Sequence, residues 1–157
     1  MVRQEEAVRQ YMERYAAVLS EAGIPRMPAR VFAALMVTDS GRRTAAELAE
    51  TLTASPAAIS GAVRYLTQLH LVSRQHEPGS RRDHYQVHDD VWQEAVLNRD
   101  AIMARWVDSA REGAEILGPD TPAGLRFRES QAFYEFVLKE MPDLLTRWRT
   151  HRATLNL

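Results

Sequence analysis

Cysteine is absent from all 157 residues, which excludes disulfides, thiolate metal sites and thiol-based redox sensing. No apolar run approaches the roughly 18 residues needed to cross a membrane. The opening stretch MVRQEEAVRQYMERY carries acidic residues where a secretory signal needs an apolar segment, so a soluble cytoplasmic protein is expected. Lysine is nearly missing: 19 of the 20 basic residues are arginine, and Lys139 is the exception. A strong charge of one sign is missing too. The net charge of −1 rules out a molecule that coats nucleic acid by bulk charge. There is no G-x-S-x-G, no P-loop, no G-x-G-x-x-G and no thiol nucleophile. The carboxylates fall on solvated helix faces among arginines. Neither an enzyme nor a cofactor is expected.

What is present fits one domain, or one compact unit with a helical extension. Apolar residues make up 45% of the chain and fill a core, while 26% charged residues keep the surface wet. Positive charge concentrates in the middle: from Arg42 to Arg82 there are six arginines against three glutamates.

Helical spacing runs through Val8, Tyr11, Met12, Tyr15, Val18, Leu19 and Ala22 until Gly23 and Pro25 stop it. A second helix is predicted from Pro28 to the turn Asp39-Ser40-Gly41. In TAAELAETL, Thr44 and Glu47 have the spacing of a capping box, with Ala45, Leu48, Ala49 and Leu52 as the buried face. After Thr53-Ala54, Ser55 suits an N-cap and Pro56 the first helical position, where its missing N–H costs nothing. Ile59, Ala62, Val63, Leu66 and Leu69 then line a core side. Strands are predicted over 71–76 and 84–88, joined by the turn-rich EPGSRRD. Asp90 and Gln93 open a long helix to about Leu117. Gly118-Pro119-Asp120 breaks it, and Thr121-Pro122 starts another, in which Pro142 must kink the helix or begin a new one. There is no internal repeat.

Two short helices followed by a basic hairpin is the order of a winged helix-turn-helix. The expected fold is therefore mainly α with a small β-hairpin wing, flanked by N- and C-terminal dimerisation helices. The expected boundaries are 1–25 for the N-terminal dimerisation helix, 26–90 for the winged DNA-binding domain and 91–157 for the C-terminal helical dimerisation region. With Ile59, Val63, Leu66 and Leu69 inward, Ala57, Ser60, Gly61, Arg64 and Gln68 face outward. Small residues let the first turns of a helix sink into a major groove and reach base edges, while free amides near Ser55 receive a phosphate. Gly61 costs about 1 kcal/mol relative to alanine inside a helix; close approach to DNA or to another helix of the chain would account for it. Arg64 reaches a guanine edge or a phosphate, or is simply a solvated helix arginine. The remaining expected DNA contacts are Thr44, Ala58, Tyr65 and Arg74, with Arg81 and Arg82 beside Gly79 at an adjacent minor groove or its phosphates.

The segment TAAELAETLTASPAAISGAVRYLTQLHLVSRQHEPGSRRDHYQV resembles the multiple-antibiotic-resistance regulator (MarR-like) family, particularly its glycine-betaine-synthesis-repressor (GbsR-like) branch. The flanking helices match that family in number and position, without a diagnostic motif. The resemblance implies a homodimer built on the first and last helices, repression of a nearby gene, and release by a small molecule held between dimerisation and reader regions. Many relatives have an Asp-x-Arg wing in which the acid braces the arginine. Here Asp83 follows Arg81 and Arg82, which leaves open which arginine inserts.

Long terminal helices with aromatic stripes point to a dimer independently, since a small winged domain cannot cover them; an intramolecular bundle is the other arrangement. A two-fold dimer places its reader helices about 34 Å apart on a pseudo-palindromic operator. Tyr11, Tyr15, Trp92 and Trp106 are the candidate effector wall, since aromatic faces hold quaternary ammonium groups; core and dimer packing is the ordinary use of such rings. His70, His76, His84 and His88 suggest a metal, but strand residues 84 and 88 stand about 13 Å apart, so no metal site is expected. The competing class is a winged-helix interaction adaptor without DNA binding. Steep salt dependence separates the two.

Overall fold

The computed structural model describes residues 2–76, 79, 82–97 and 99–156. In chain order the elements are α1 (Val2–Glu21), α2 (Arg26–Met36), β1 (Arg42–Thr44), α3 (Ala45–Leu52), α4 (Pro56–Gln68), β2 (Ser73–His76), β3 (Asp83–Gln86), α5 (Val91–Leu97), α6 (Asp100–Leu117) and α7 (Pro122–Arg152). They divide into two compact units, residues 1–95 and 96–157. The fold is mainly helical with a small antiparallel sheet, as the hydrophobic periodicities predict.

The first unit is organised around α2, whose Ala29, Val31, Phe32, Ala33, Ala34 and Leu35 are all buried. A helix apolar on nearly every side belongs in the middle of a core. Leu48 and Leu52 of α3, then Ile59, Ala62, Val63 and Leu66 of α4, close over it. Met12, Ala16 and Leu19 of α1 complete the same cluster. The predicted stripe on α1 is wider than the face it buries: Val8, Tyr11 and Val18 are exposed within the chain.

The sheet has three strands rather than two, in the order β1-β3-β2. β1 pairs Arg42 with Gln86 and Thr44 with His84; β2 pairs Ser73 with Gln86 and His76 with Asp83. The extra strand escapes sequence pattern because Arg-Arg-Thr has no apolar alternation. Gly41 positions it at φ +62, and its carbonyl accepts the Val87 amide at 2.9 Å.

In the second unit α6 and α7 pack on each other through Val107, Ala110, Ala114 and Leu145. Gly124 makes their connection tight, since a Cβ there would collide with the Gly118 carbonyl. The single long helix expected from Asp90 to Leu117 is two, α5 and α6. α5 ends at Leu97 and α6 begins at Asp100, with Arg99 preceding it without a side-chain capping hydrogen bond. Pro142 does not end α7, which continues through it to Arg152.

Candidate nucleic-acid interface

The presentation of α4 is prepared at its N-terminus. The αL residue Thr53 (φ 49, ψ 51) ends α3 and reverses the chain. Ser55 then takes extended geometry, its Oγ accepting the Ala58 amide at 3.2 Å, and Pro56 occupies the first turn. α3 is fixed by a complete capping box: the Glu47 amide donates to Thr44 Oγ1 at 3.2 Å, and the Thr44 amide donates to Glu47 Oε2 at 2.6 Å. The Thr44 amide, then its hydroxyl, hold the Glu47 carboxyl below the usual carboxylate range. Thr44 itself is buried, so its hydroxyl serves the cap.

On α4 the outward stripe is Ala57, Ser60, Gly61, Arg64 and Gln68, all exposed, opposite the buried Ile59, Ala62, Val63 and Leu66. Ala58 is half-buried, and Tyr65 packs partly against the core. A Cβ built at Gly61 meets nothing within 4 Å. Among the described residues of the first unit, no helix therefore requires the glycine for close packing. Arg64 is the one charged residue of the helix, so the stripe has little bulk and a single cation.

Along the ribbon, Arg74 donates from Nε to Asp83 Oδ2 at 2.8 Å and from Nη2 to the same oxygen. His76 Nδ1 lies 3.1 Å from Asp83 Oδ1. The Arg74 hydrogen bonds first, and His76 second, hold the Asp83 carboxyl below its ordinary value; Asp83 in turn raises Arg74. Arg82 is exposed. Arg81 lies outside the described residues. Asp83 is the member of this cluster that sequence reasoning left without a role: it follows the tip arginines in the chain, and only the cross-strand register carries it to Arg74.

The expected effector aromatics occupy separate places. Tyr11 and Tyr15 stack on α1, ring centroids 6.2 Å apart and planes 1° from parallel. Trp92 on α5 meets Phe32 edge-on at 5.7 Å. It lines a cavity of about 670 Å³ with Met36, Thr38, Asp39, His88 and Asp89, but neither tyrosine does. Trp106 belongs to the second unit, against Tyr134 at 5.4 Å. Among the histidines, His88 Nε2 lies 2.8 Å from Ser73 Oγ, while His84 Nδ1 is buried without a hydrogen-bond partner. Among the described residues no three His, Cys, Asp or Glu gather as metal ligands, and no helix is long and apolar enough to cross a membrane.

A capped two-helix reader with a three-stranded wing defines a winged-helix nucleic-acid-binding protein. Comparison with known proteins sharpens the class. A MarR family model matches residues 22–83, and a model described as an MmpR5-like MarR family transcriptional regulator matches residues 90–151. The HTH-type transcriptional regulator MmpR5 of Mycobacterium tuberculosis is 26% identical over 142 residues, 90% of this chain and 86% of that protein. A crystal structure of a transcriptional regulator superposes with a TM-score of 0.83 at 26% identity, covering 92% of this chain and 99% of that one. In both stretches the chain is similar to the MarR family of winged-helix transcriptional regulators, which bind DNA. That family and these relatives are regulators, not enzymes.

Proposed function

We propose that this chain is a cytoplasmic homodimeric repressor, GbsR-like in its reader segment, that binds a pseudo-palindromic operator and is released by a small-molecule effector. In this reading α4 enters the major groove with Ala57, Ser60 and Gly61 against base edges. Arg64 reaches a guanine or a phosphate, and Gln68 and Tyr65 meet the backbone. The Ser55 end of the helix takes a phosphate. The ribbon, with Arg74 and the tip arginines Arg81 and Arg82, lies over the flanking backbone and minor groove. The observation that carries the reading is the bare, exposed stripe around Gly61, opposite a fully buried one.

The dimer is supported by apolar surface that one chain leaves uncovered. On α6 and α7, Ile116 is 75% exposed, Phe136 62% and Phe133 60%; on α1, Val18 is 59% exposed. Side chains of this size in water favour a partner, and a second copy with two-fold symmetry gives the reader spacing of about 34 Å. The effector reading is supported by Trp92, which lines its cavity together with the carboxylates Asp39 and Asp89.

The test is selection of genomic fragments by the purified protein, followed by binding to the recovered operator across a salt series. The expected result is an inverted repeat with half-sites about ten base pairs apart, centre to centre, and affinity falling steeply with salt. Recovery of no sequence, with no salt dependence on any duplex, would favour a winged-helix adaptor instead.

A further inference from the structure

The ribbon places the Asp83 carboxylate where a DNA-binding surface has most reason to avoid one. Asp83 and His76 face each other directly in the β2–β3 register, and Arg74 is the diagonal neighbour on the same face. Both Asp83 oxygens are engaged, Oδ2 by two donors of Arg74 and Oδ1 beside His76 Nδ1. The Asp83 side chain is 24% exposed, whereas that of Arg74 is 65% exposed. The acid is tucked into the ribbon and the guanidinium stands out from it.

Two opposite consequences follow for DNA binding. As a plain charge, Asp83 repels phosphates, so its removal strengthens binding. As a brace, it fixes the plane of a long, rotatable arginine before DNA arrives and lowers the ordering cost of a phosphate contact. The two-donor geometry favours the brace, because a guanidinium held through Nε and one terminal nitrogen has a set direction.

We propose that Asp83 is a positioning residue for DNA binding, which with His76 behind it orients Arg74 as a phosphate contact on the stem of the wing. The braced arginine of this chain is then a strand residue rather than a tip residue. This rests on the winged-helix mode of DNA engagement set out above.

The test uses the full-length protein, the selected operator duplex and a random duplex of equal length. Binding is titrated over a salt series for the wild type, Asp83→Asn, Asp83→Glu, Arg74→Ala and the double variant Asp83→Asn/Arg74→Ala. Asp83→Asn is expected to weaken binding about three- to tenfold on both duplexes and to reduce the log–log salt slope by about one, as for loss of one phosphate contact. Asp83→Glu restores much of the loss, and Asp83→Asn adds no loss in the Arg74→Ala background. Unchanged melting temperatures exclude unfolding as the cause, and the glutamate variant keeps the test valid if the asparagine variant is unstable. Unchanged or tighter binding by Asp83→Asn, or the same loss with and without Arg74, overturns the proposal. A Gly61→Leu protein that still prefers its operator at full strength overturns the placement of α4 instead, leaving the Asp83 result to stand alone.

Discussion

Arg30 grips Glu13 through two nitrogens and uses one of them again on the end of a third helix. Its Nη2 donates to Glu13 Oε1 at 2.7 Å and its Nε to Oε2 at 3.0 Å, and Nη2 also donates to the Leu52 carbonyl at 3.2 Å. One guanidinium on α2 thereby ties α1 to the last residue of α3, one position before the turn that launches α4. The last carbonyls of a helix lack intrahelical donors, so the contact satisfies a group that would otherwise need water.

Removing the two ends of this tie should have unequal effects. Glu13→Gln loses an ion pair open to solvent on the carboxylate side and is expected to cost no more than about 1 kcal/mol after screening. Arg30→Met also strips the Leu52 carbonyl of its donor and should cost about 1–3 kcal/mol. The Arg30 hydrogen bonds hold the Glu13 carboxyl below its ordinary value. Its contribution is therefore fully present above the unfolded carboxyl pKa of about 4.3 and is lost as pH falls through the lower folded value. Urea denaturation of both proteins at pH 7, 5, 4 and 3 should show the wild-type advantage over Glu13→Gln shrinking only at the acid end. A constant difference would mean that the pair contributes nothing ionic.

At Gly61 stability and function should move in opposite directions. Because an added methyl meets nothing, Gly61→Ala should raise stability by about 1 kcal/mol through helix propensity alone. The same methyl occupies space facing the duplex, so operator affinity should fall, and Gly61→Leu should fold normally while binding far more weakly. Thermal melts paired with operator titrations decide this; a stabilised variant with undiminished affinity contradicts the placement of α4 in the groove.

Thr53 presents the opposite case, a β-branched residue in the left-handed region at φ 49. That conformation costs about 1–2 kcal/mol for a residue with a Cβ. Thr53→Gly is expected to raise stability by up to about 1 kcal/mol, less what glycine loses in unfolded-chain entropy. A fall in melting temperature would show that the threonine side chain makes a compensating contact.

Leu66 of α4 is fully buried in the core cluster that also holds the buried residues of α2. Leu66→Ala should cost about 2–5 kcal/mol, according to how far the site collapses. Chemical denaturation measures it, and a loss below about 1 kcal/mol would mean that α4 is not anchored through this residue. Operator binding should survive at temperatures where the variant stays folded, since no outward residue changes.

Much of the reader was legible from local chemistry. Thr44 with Glu47, and Ser55 with Pro56, mark helix starts because capping is settled within four residues. The inward face of α4 follows from the 3.6-residue period. Local chemistry failed where partners are distant. β1 carries no apolar alternation and exists because β3 offers it an edge. The outer part of the α1 stripe lacks a cover in the single chain, so a periodic pattern overstated what that chain buries. The end of α5 at Leu97 is followed by no glycine or proline to announce a helix stop, so the periodic pattern ran on through it.

The chain's own order of residues determined that a bare-faced, well-capped helix would be followed by an arginine-bearing hairpin, since each of those features depends on neighbours a few positions away. Only the tertiary structure decided that Asp83 would meet Arg74 and that Arg30 would join α1 to α3. Those pairings span 9, 17 and 22 positions of sequence, and their geometry comes from strand register and helix packing, which no local pattern encodes.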